Sequence, residues 1–245
     1  METIGEVVAR DRRSRDPALR APTGVNTRYD YYQFITTAQK TGNFFRHFGV
    51  GSGTTVAVVS EESGAPLLSL FGASLLGARV RFDPPTAVED RLLVAPADRI
   101  DEYEVGRSGH RIAYGDGESP TGVQGFGEGV WSENPACPIP PDLGRDDPAL
   151  VSADGEYAHG ELVDAADTIR REYGLEPGIE VAIRTPLSAP GTVVAGVLAP
   201  LAAGATVVFP DEGDKEVCDV AVATEEAPEP VVIRADEVTI GGPVG

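Results

Sequence analysis

Apolar residues recur at helical spacing in two separate stretches of the chain. Steps of three and four residues place side chains on one face of a helix. The residues at these steps are Phe34, Ala38, Thr41, Phe45 and Phe48 in the first stretch, and Leu162, Ala166, Ile169 and Tyr173 in the second. Gly49 and Gly174 follow, where a helix end favours a left-handed residue. Short β-branched runs come next and predict strands buried on both faces of a parallel sheet.

The two stretches belong to an internal repeat. Residues 43–84 and 168–210 show the same order of helix end, glycine turn, strand, helix of small residues and second strand. The aligned pairs are Gly49 with Gly174, Gly53 with Gly178, Gly77 with Gly204, and, upstream, Asp16-Pro-Ala-Leu19 with Asp147-Pro-Ala-Leu150. This alternation is typical of parallel α/β layers. We predict an α/β protein of two tandem, internally similar Rossmann-like subdomains with mainly parallel sheets.

The sequence outside the repeats supplies the predicted boundaries. Apolar runs at 91–95, 217–223 and 230–234 predict further strands, and residues 97–103 predict a short helix. Residues 106–144 are rich in Gly, Pro and Ser, which favours a linker or an extended loop. We therefore predict a first subdomain over 1–140, which includes this linker, and a second over 141–245.

The charge balance excludes some partners. Asp and Glu number 39 against 20 Lys and Arg, for a net charge of −19. Such a field repels nucleic acids and anionic lipid surfaces, so we predict neither as a partner. An acidic surface for a basic partner is one explanation. We favour adaptation to concentrated salt, because the acidic residues are spread over the whole chain and only Lys40 and Lys215 are lysines.

The cysteines and the lengths of the apolar runs indicate the cellular compartment in which the protein is located. Cys137 and Cys218 are the only cysteines and show no CxxC spacing. The first residues lack the basic and apolar regions of a signal peptide, and no apolar run reaches the length of a membrane span. We predict a cytoplasmic protein.

Two sections of the chain resemble a known family. In the section 29–84 an aromatic residue enters a helix that ends in Gly-Val, and a Val-Ala-Val strand and an Ala/Gly helix follow. In the section 146–210 Asp-Asp-Pro-Ala-Leu leads in, and Leu-Ala-Pro-Leu-Ala-Ala-Gly-Ala-Thr-Val-Val closes the block. This order resembles the N-terminal domain of adenylate-forming enzymes, the acyl-CoA synthetase/AMP-binding superfamily. The resemblance implies a fold with two similar subdomains.

The resemblance also implies an ATP-phosphate loop after Asp-Asp-Pro-Ala-Leu, rich in Ser, Thr and Gly and ending in Pro-Lys-Gly. This chain has only residues 151–157 there, without lysine and with Asp154 and Glu156 adding negative charge. The family's adenine-binding motif, ribose-binding Asp and C-terminal domain with its catalytic Lys have no match in the sequence. We expect a truncated, degenerate relative from a salt-adapted source, with no catalytic residues.

A few residues are candidates for a cofactor, acid–base or metal site. Ser152, Asp154 and His159 are the candidates for cofactor binding. His159 precedes Glu161 and could indicate acid–base or metal chemistry, but no second His or Cys lies at ligand spacing, so a role in starting its helix is favoured and no metal is predicted. The segments 51–55 and 122–129 are interpreted as a turn and a flexible linker, because neither has the strand–loop–helix context of a phosphate site. Trp131 is predicted to anchor the linker by packing.

These observations lead to three function hypotheses. The first is a non-catalytic binder of a partner or small ligand in a cleft between the subdomains, with no cofactor predicted and ATP, AMP or CoA as open options. The second is one component of a split acid–thiol ligase that needs a complementary chain. The third is a structural subunit that pairs with a full-length synthetase through a sheet edge or the apolar helix Val193–Leu201. Homo-oligomers are compatible with each.

Overall fold

The computed structural model describes residues 1–24, 26–115, 117, 119–211 and 217–241. Its strands are β1 Pro17–Arg20, β2 Arg28–Asp30, β3 Thr55–Val58, β4 Arg79–Phe82, β5 Ala87–Val88, β6 Leu92–Pro96, β7 Glu104–Val105, β8 His110–Tyr114, β9 Gln124–Gly125, β10 Pro148–Ser152, β11 Gly155–Ala158, β12 Glu180–Ile183, β13 Thr206–Val208, β14 Val220–Ala223 and β15 Val231–Arg234. Its α-helices are α1 Tyr31–Arg46, α2 Gly64–Ser74, α3 Phe126–Trp131, α4 His159–Glu172, α5 Pro190–Thr192 and α6 Ala199–Ala203. A π-helical segment, Val193–Leu198, joins α5 to α6, and short 3₁₀-helices occupy Ile4–Val8, Arg10–Arg12, Ile100–Glu102 and Ala235–Glu237.

Two large sheets form the framework. The first has seven strands in the order β11-β10-β4-β3-β6-β8-β9, and the second has six in the order β15-β14-β12-β13-β1-β2. Neighbouring strands in both are parallel except within the hairpins β1–β2 and β10–β11. The predicted α/β class with mainly parallel sheets is confirmed. The strands predicted at 91–95, 217–223 and 230–234 are β6, β14 and β15, and residues 97–103 contain only the 3₁₀-turn Ile100–Glu102.

Each sheet is completed by a hairpin from the other repeat. β1 lies parallel to β13, with Leu19 opposite Val207, and β10 lies parallel to β4, with Leu150 opposite Val80. The two Asp-Pro-Ala-Leu sequences thus enter equivalent positions in opposite sheets. The domain division at residue 140 stays a prediction, and both sheets contain strands from each side of it.

The helices after the two hairpins begin in the same way. In α1, Asp30 accepts a hydrogen bond from the Gln33 amide, while the Gln33 side chain accepts one from the Asp30 amide. In α4, the Glu161 carboxylate accepts from the Ala158 amide. Each of these contacts satisfies an amide that the helix itself leaves unpaired. The repeat therefore extends to the capping of its helices.

The glycines of the repeat permit the turns between its elements. Gly49 and Gly174 follow α1 and α4 with φ of 72° and 61°, and Gly77 and Gly204 have φ of 72° and 83°. Residues with a Cβ rarely adopt this left-handed backbone, so these glycines let each helix stop and the chain re-enter the sheet. The left-handed ends predicted at Gly49 and Gly174 are confirmed.

The main core contains side chains from both repeats. On β3, Val56 and Val58 face this core, whereas Ala57 and Val59 face a smaller cluster on the other side of the sheet. On β12, Val181 and Ile183 face the main core and Ala182 faces a third cluster. Both sheets are therefore covered on both faces, which explains the uninterrupted apolar sequence of their central strands.

Three predictions about packing are wrong. Residues 106–144 are not wholly a linker, because β8 and α3 lie within them and β8 pairs with β6 along its length. Trp131 does not anchor this segment by burial, since it is 83% exposed. The helix Val193–Leu201 is not a free surface, because its side chains are buried in the main core.

The packing of α3 gives a direct test of this fold. A Cβ added at Gly129 would overlap the Phe44 ring on α1, whereas a Cβ at Gly127 meets open space. We expect Gly129→Ala to lower the free energy of unfolding by about 1–3 kcal/mol. Gly127→Ala, the matched control on the same helix, should be neutral or stabilising by up to about 1 kcal/mol. Urea unfolding of both variants measures the difference, and equal stabilities would contradict the contact between α1 and α3.

Candidate functional site

A cavity of about 780 Å³ opens between the two sheets. Most of its residues lie at or after the carboxyl ends of β3 and β4 in one sheet and of β12 and β13 in the other, and Val217 and Pro228 flank β14. They are Ser60, Glu61, Glu62, Asp83, Ile183, Arg184, Thr185, Pro186, Leu187, Phe209, Pro210, Asp211, Val217 and Pro228. Crevices at the carboxyl ends of parallel strands are the usual ligand sites of open α/β sheets. The internal repeat brings two such ends to one cavity.

Ser60 and Asp83 join the ends of β3 and β4 at the cavity rim. The Ser60 amide donates to Asp83 Oδ1 at 2.8 Å, and the Ser60 hydroxyl lies 2.8 Å and 2.7 Å from the two carboxylate oxygens. Asp83 has a φ of 47°, a left-handed backbone that is uncommon for a residue other than glycine. The hydrogen bonds from Ser60 hold the carboxylate at this fixed position.

Arg184 and Glu229 form an ion pair beside the cavity. Arg184 Nε lies 2.9 Å and 3.1 Å from the Glu229 oxygens, and a terminal nitrogen lies 2.6 Å from one of them. The Glu229 side chain is fully buried and that of Arg184 is 27% exposed. Burial raises the pKa of Glu229, but the hydrogen bonds and charge of Arg184, together with backbone hydrogen bonds, outweigh burial and leave the pKa lowered. The guanidinium charge is therefore already balanced within the protein.

The other charged residues of the described lining are carboxylates. Glu61, Glu62, Asp83 and Asp211 belong to it, and Arg184 is the one basic residue among them. Arg99, outside the lining, lies 3.9 Å from a Glu61 oxygen. Burial and the neighbouring charge of Asp98 raise the pKa of Glu61 against the opposing charge of Arg99. Apolar side chains such as Leu187 and Phe209 line the rest of the wall. The cavity thus combines an apolar wall with a negative rim.

The sequence-based site candidates lie outside this cavity. Ser152 ends β10 and Asp154 lies in the two-residue turn that follows, where the Asp154 amide donates to Ser152 Oγ at 3.1 Å. Glu156 pairs with Arg79 at 2.7 Å, so its charge is compensated and does not add to that of Asp154. The structure brings Ser152 and Asp154 together, and their role in cofactor binding stays a prediction.

His159 is the first residue of α4 and is completely buried. Its Nδ1 accepts a hydrogen bond from the Ile4 amide at 3.3 Å, and within the described residues its Nε2 has no partner. Burial lowers the pKa of the imidazole to about 4. A neutral His159 thus ties the N-terminal segment to the start of α4, and its position agrees with the predicted role in the helix start.

Within the part of the chain that the structure describes, no group of three or more His, Cys, Asp or Glu side chains is arranged to hold a metal ion. In the same residues, every helix is too short or too polar to cross a bilayer.

Comparison with known proteins identifies the fold. No family model and no curated protein sequence matches the chain. Among solved structures, the anthranilate CoA ligase AuaEII, crystallised with anthranoyl-AMP, superposes with a TM-score of 0.77 and 16% identity over 90% of this chain and 49% of the ligase. The chain has an adenylate-forming ligase fold. A benzoate CoA ligase from Burkholderia xenovorans LB400 gives a TM-score of 0.76 and 15% identity, over 91% of this chain and 50% of that one.

A nonribosomal peptide synthetase bound to α-methyl-L-serine-AMP shares the adenylate-forming fold at a TM-score of 0.69 and 21% identity, over 85% of this chain and 24% of the synthetase. The chain spans about half the length of the two CoA ligases. At these identities the similarity extends to the fold alone. It agrees with the resemblance expected for the N-terminal domain of adenylate-forming enzymes.

The cavity residues could not have been selected from any motif. Ser60, Asp83 and Arg184 each come within two residues of the end of a strand, and that position is the only local signal they carry. Glu229 is 45 residues from Arg184, so the pair depends on the tertiary fold.

The depressed pKa of His159 predicts a pH dependence of stability. The unfolded imidazole protonates near its ordinary value of 6.5, whereas the folded one does so only near 4. The unfolded state therefore binds more protons between these values, and stability should fall as pH drops from 6.5 to 4, by up to roughly 3 kcal/mol. His159→Asn retains an acceptor for the Ile4 amide and cannot titrate, so its loss over this window should be smaller. Parallel unfolding curves for the two proteins would contradict this assignment.

The Asp83 contacts predict an order of stabilities. Asp83→Asn keeps a carbonyl acceptor and tolerates the left-handed backbone, so we expect a loss below about 1 kcal/mol. Asp83→Ala removes the acceptor and retains the strain, for a loss of about 1–3 kcal/mol, and Asp83→Gly should lie between because it relieves the strain. Urea unfolding of the three variants tests this order. An alanine variant as stable as the asparagine variant would show that the Ser60 contacts contribute nothing.

Proposed function

We propose that this chain is an acyl-CoA synthetase-like protein that does not catalyse adenylation and binds a small ligand in the cavity between its sheets. The ligand has an apolar body, suited to the wall near Leu187 and Phe209, and a neutral or cationic polar end. The observation that carries the proposal is the charge of the described rim, where Arg184 is neutralised by Glu229 and Asp83 presents a carboxylate held by Ser60.

The turn between β10 and β11 supports the loss of ATP binding. In the adenylate-forming enzymes that the chain resembles, a loop rich in Ser, Thr and Gly and ending in Pro-Lys-Gly is expected to hold the ATP phosphates at this point. Here Ser152 pairs directly with Gly155, and Asp154 lies in the two-residue turn between them. This turn offers few free amides and no cation to a triphosphate.

The negative charge of the rim should weaken the binding of anionic ligands by an amount that can be measured. A carboxylate at about 4 Å from an anion costs from about 1 kcal/mol in water to about 4 kcal/mol near a protein surface. Asp83, which Ser60 holds at the rim, would contribute part of this cost, and its contribution to a cation has the opposite sign. A series of ligands of equal size and different charge therefore separates the two cases.

The test is calorimetric titration of benzylamine, benzamide and benzoate, which share a ring and differ in charge. We expect affinity to fall in that order, and expect no binding of Mg-ATP and no ATP–pyrophosphate exchange with benzoate. Asp83→Asn should weaken benzylamine and strengthen benzoate by about three- to tenfold. Asp154→Asn makes the same change in net charge outside the cavity and should leave all three affinities unchanged.

The proposal fails if none of the three ring compounds binds the folded protein, or if benzoate binds most tightly. Micromolar binding of Mg-ATP would instead favour the second hypothesis, a component of a split acid–thiol ligase. The coverage of about half of each CoA ligase is the observation that keeps this candidate open. Pyrophosphate exchange that appears only with a complementary chain would establish it.

A further inference from the structure

Large apolar side chains are exposed at the start of α1, at the end of α3 and in the segment after α3. Tyr32, Trp131 and Ile139 are 46%, 83% and 55% exposed. We call the surface formed by the segments 10–16, 30–47 and 126–139 the α1 face. Hydrogen bonds join its three segments: Arg13 donates to the Pro135 carbonyl, and Asn43 donates to the carbonyls of Asn134 and Ala136.

The exposed rings of the α1 face are held by cations. Lys40 donates to the Trp131 carbonyl at 2.7 Å, and its ammonium lies 5.4 Å from the centre of the indole ring. Arg13 and Arg15 lie 5.3 Å and 4.9 Å from the centre of the Tyr32 ring. Cation–π contacts of this kind fix the rings in place without burying them. Ordered apolar side chains grouped on a surface are typical of an interaction site.

The α1 face also differs from the rest of the molecule in charge. Its basic residues are Arg10, Arg12, Arg13, Arg15, Lys40 and Arg46, and its acidic residues are Asp11, Asp16, Asp30, Glu128 and Glu133. Six basic and five acidic groups give a formal charge of +1, whereas the rest of the chain carries −20 because the whole carries −19. Two copies of the chain repel each other in most orientations, and the repulsion is smallest when these faces meet.

The α1 face carries a positive segment and a negative segment, so it is electrostatically complementary to the same face on a second copy. Segment 10–16 has a formal charge of +2 and runs beside the start of α1, where the Tyr32 amide donates to the Ser14 carbonyl. Segment 126–139 has a formal charge of −2 and reaches the end of α1, where Glu133 contacts His47 at 2.9 Å. A two-fold axis across α1 would place each of these segments opposite the other in the second copy.

We propose that the α1 face is the interface of a symmetric dimer of this chain. Trp131 and Tyr32 of each copy are buried in it. None of the residues named on this face lines the cavity between the sheets.

The test combines sedimentation equilibrium with the fluorescence of Trp131, which is the only tryptophan of the chain. We expect reversible dimers and a blue shift of the emission at the concentrations where dimers form, because the indole leaves water. Salt should strengthen the association, since it screens the repulsion between the two acidic copies. Trp131→Ala and Tyr32→Ser should each weaken dimerisation by at least about tenfold.

Val231→Ala is the matched control, because Val231 is 40% exposed on β15 at the edge of the second sheet. This variant should dimerise like the wild type. Loss of the dimer in Val231→Ala alone would assign it to sheet-edge pairing and overturn the proposal. A dimer without a shift in Trp131 emission would place the interface elsewhere. A chain that stays monomeric at all concentrations would leave the α1 face to a different partner, and the proposal would be wrong.

Discussion

The structure depends on the exchange of hairpins between its two repeats. Without β10, the strand β4 would be an unpaired edge of the first sheet, and without β1 the strand β13 would be an edge of the second. β13 is buried along its length and β4 contributes the buried Val80 and Phe82, and an exposed edge with apolar side chains is a site of aggregation. The exchange covers both edges, and the ion pairs Arg20–Glu180 and Arg79–Glu156 cross between the halves of the sequence. Each half of the chain therefore needs the other to complete its sheet.

The helices, strands and turns of the two repeats can be predicted from the sequence, but the exchange of hairpins between them cannot. The spacing of Phe34 and Phe45 and the alignment of Gly49 with Gly174 predict elements that the structure confirms, because these signals are local. No local sequence signal indicates that Leu19 pairs with Val207, which is 188 positions away. The linker prediction failed for a related reason: β8 lies between glycine-rich turns, and its strand is stabilised by its pairing with β6.

The candidate site, like the hairpin exchange, depends on long-range contacts that the sequence does not reveal. The family resemblance points to Ser152, Asp154 and His159, but the turn between β10 and β11, which holds Asp154, has only two residues. The cavity is instead formed by residues that follow strand ends in both sheets, such as Asp83 and Arg184. Strand order determines which ends meet, so a reader of the sequence could place these residues at sheet edges but could not bring them together. The ion pair of Arg184 with Glu229, which sets the sign of the rim, is likewise a product of the tertiary fold.

Charge accounts for how the two proposed sites can coexist in one strongly acidic chain. At the cavity, Glu229 cancels the guanidinium of Arg184, so this arginine adds no net positive charge to the described rim. On the α1 face, basic residues outnumber acidic ones, so a second copy can approach there despite the overall repulsion. The two surfaces share none of the residues that carry these arguments. A dimer through α1 would therefore leave the cavity open to ligand, because α1 packs on α2 and α3 and not over the strand ends.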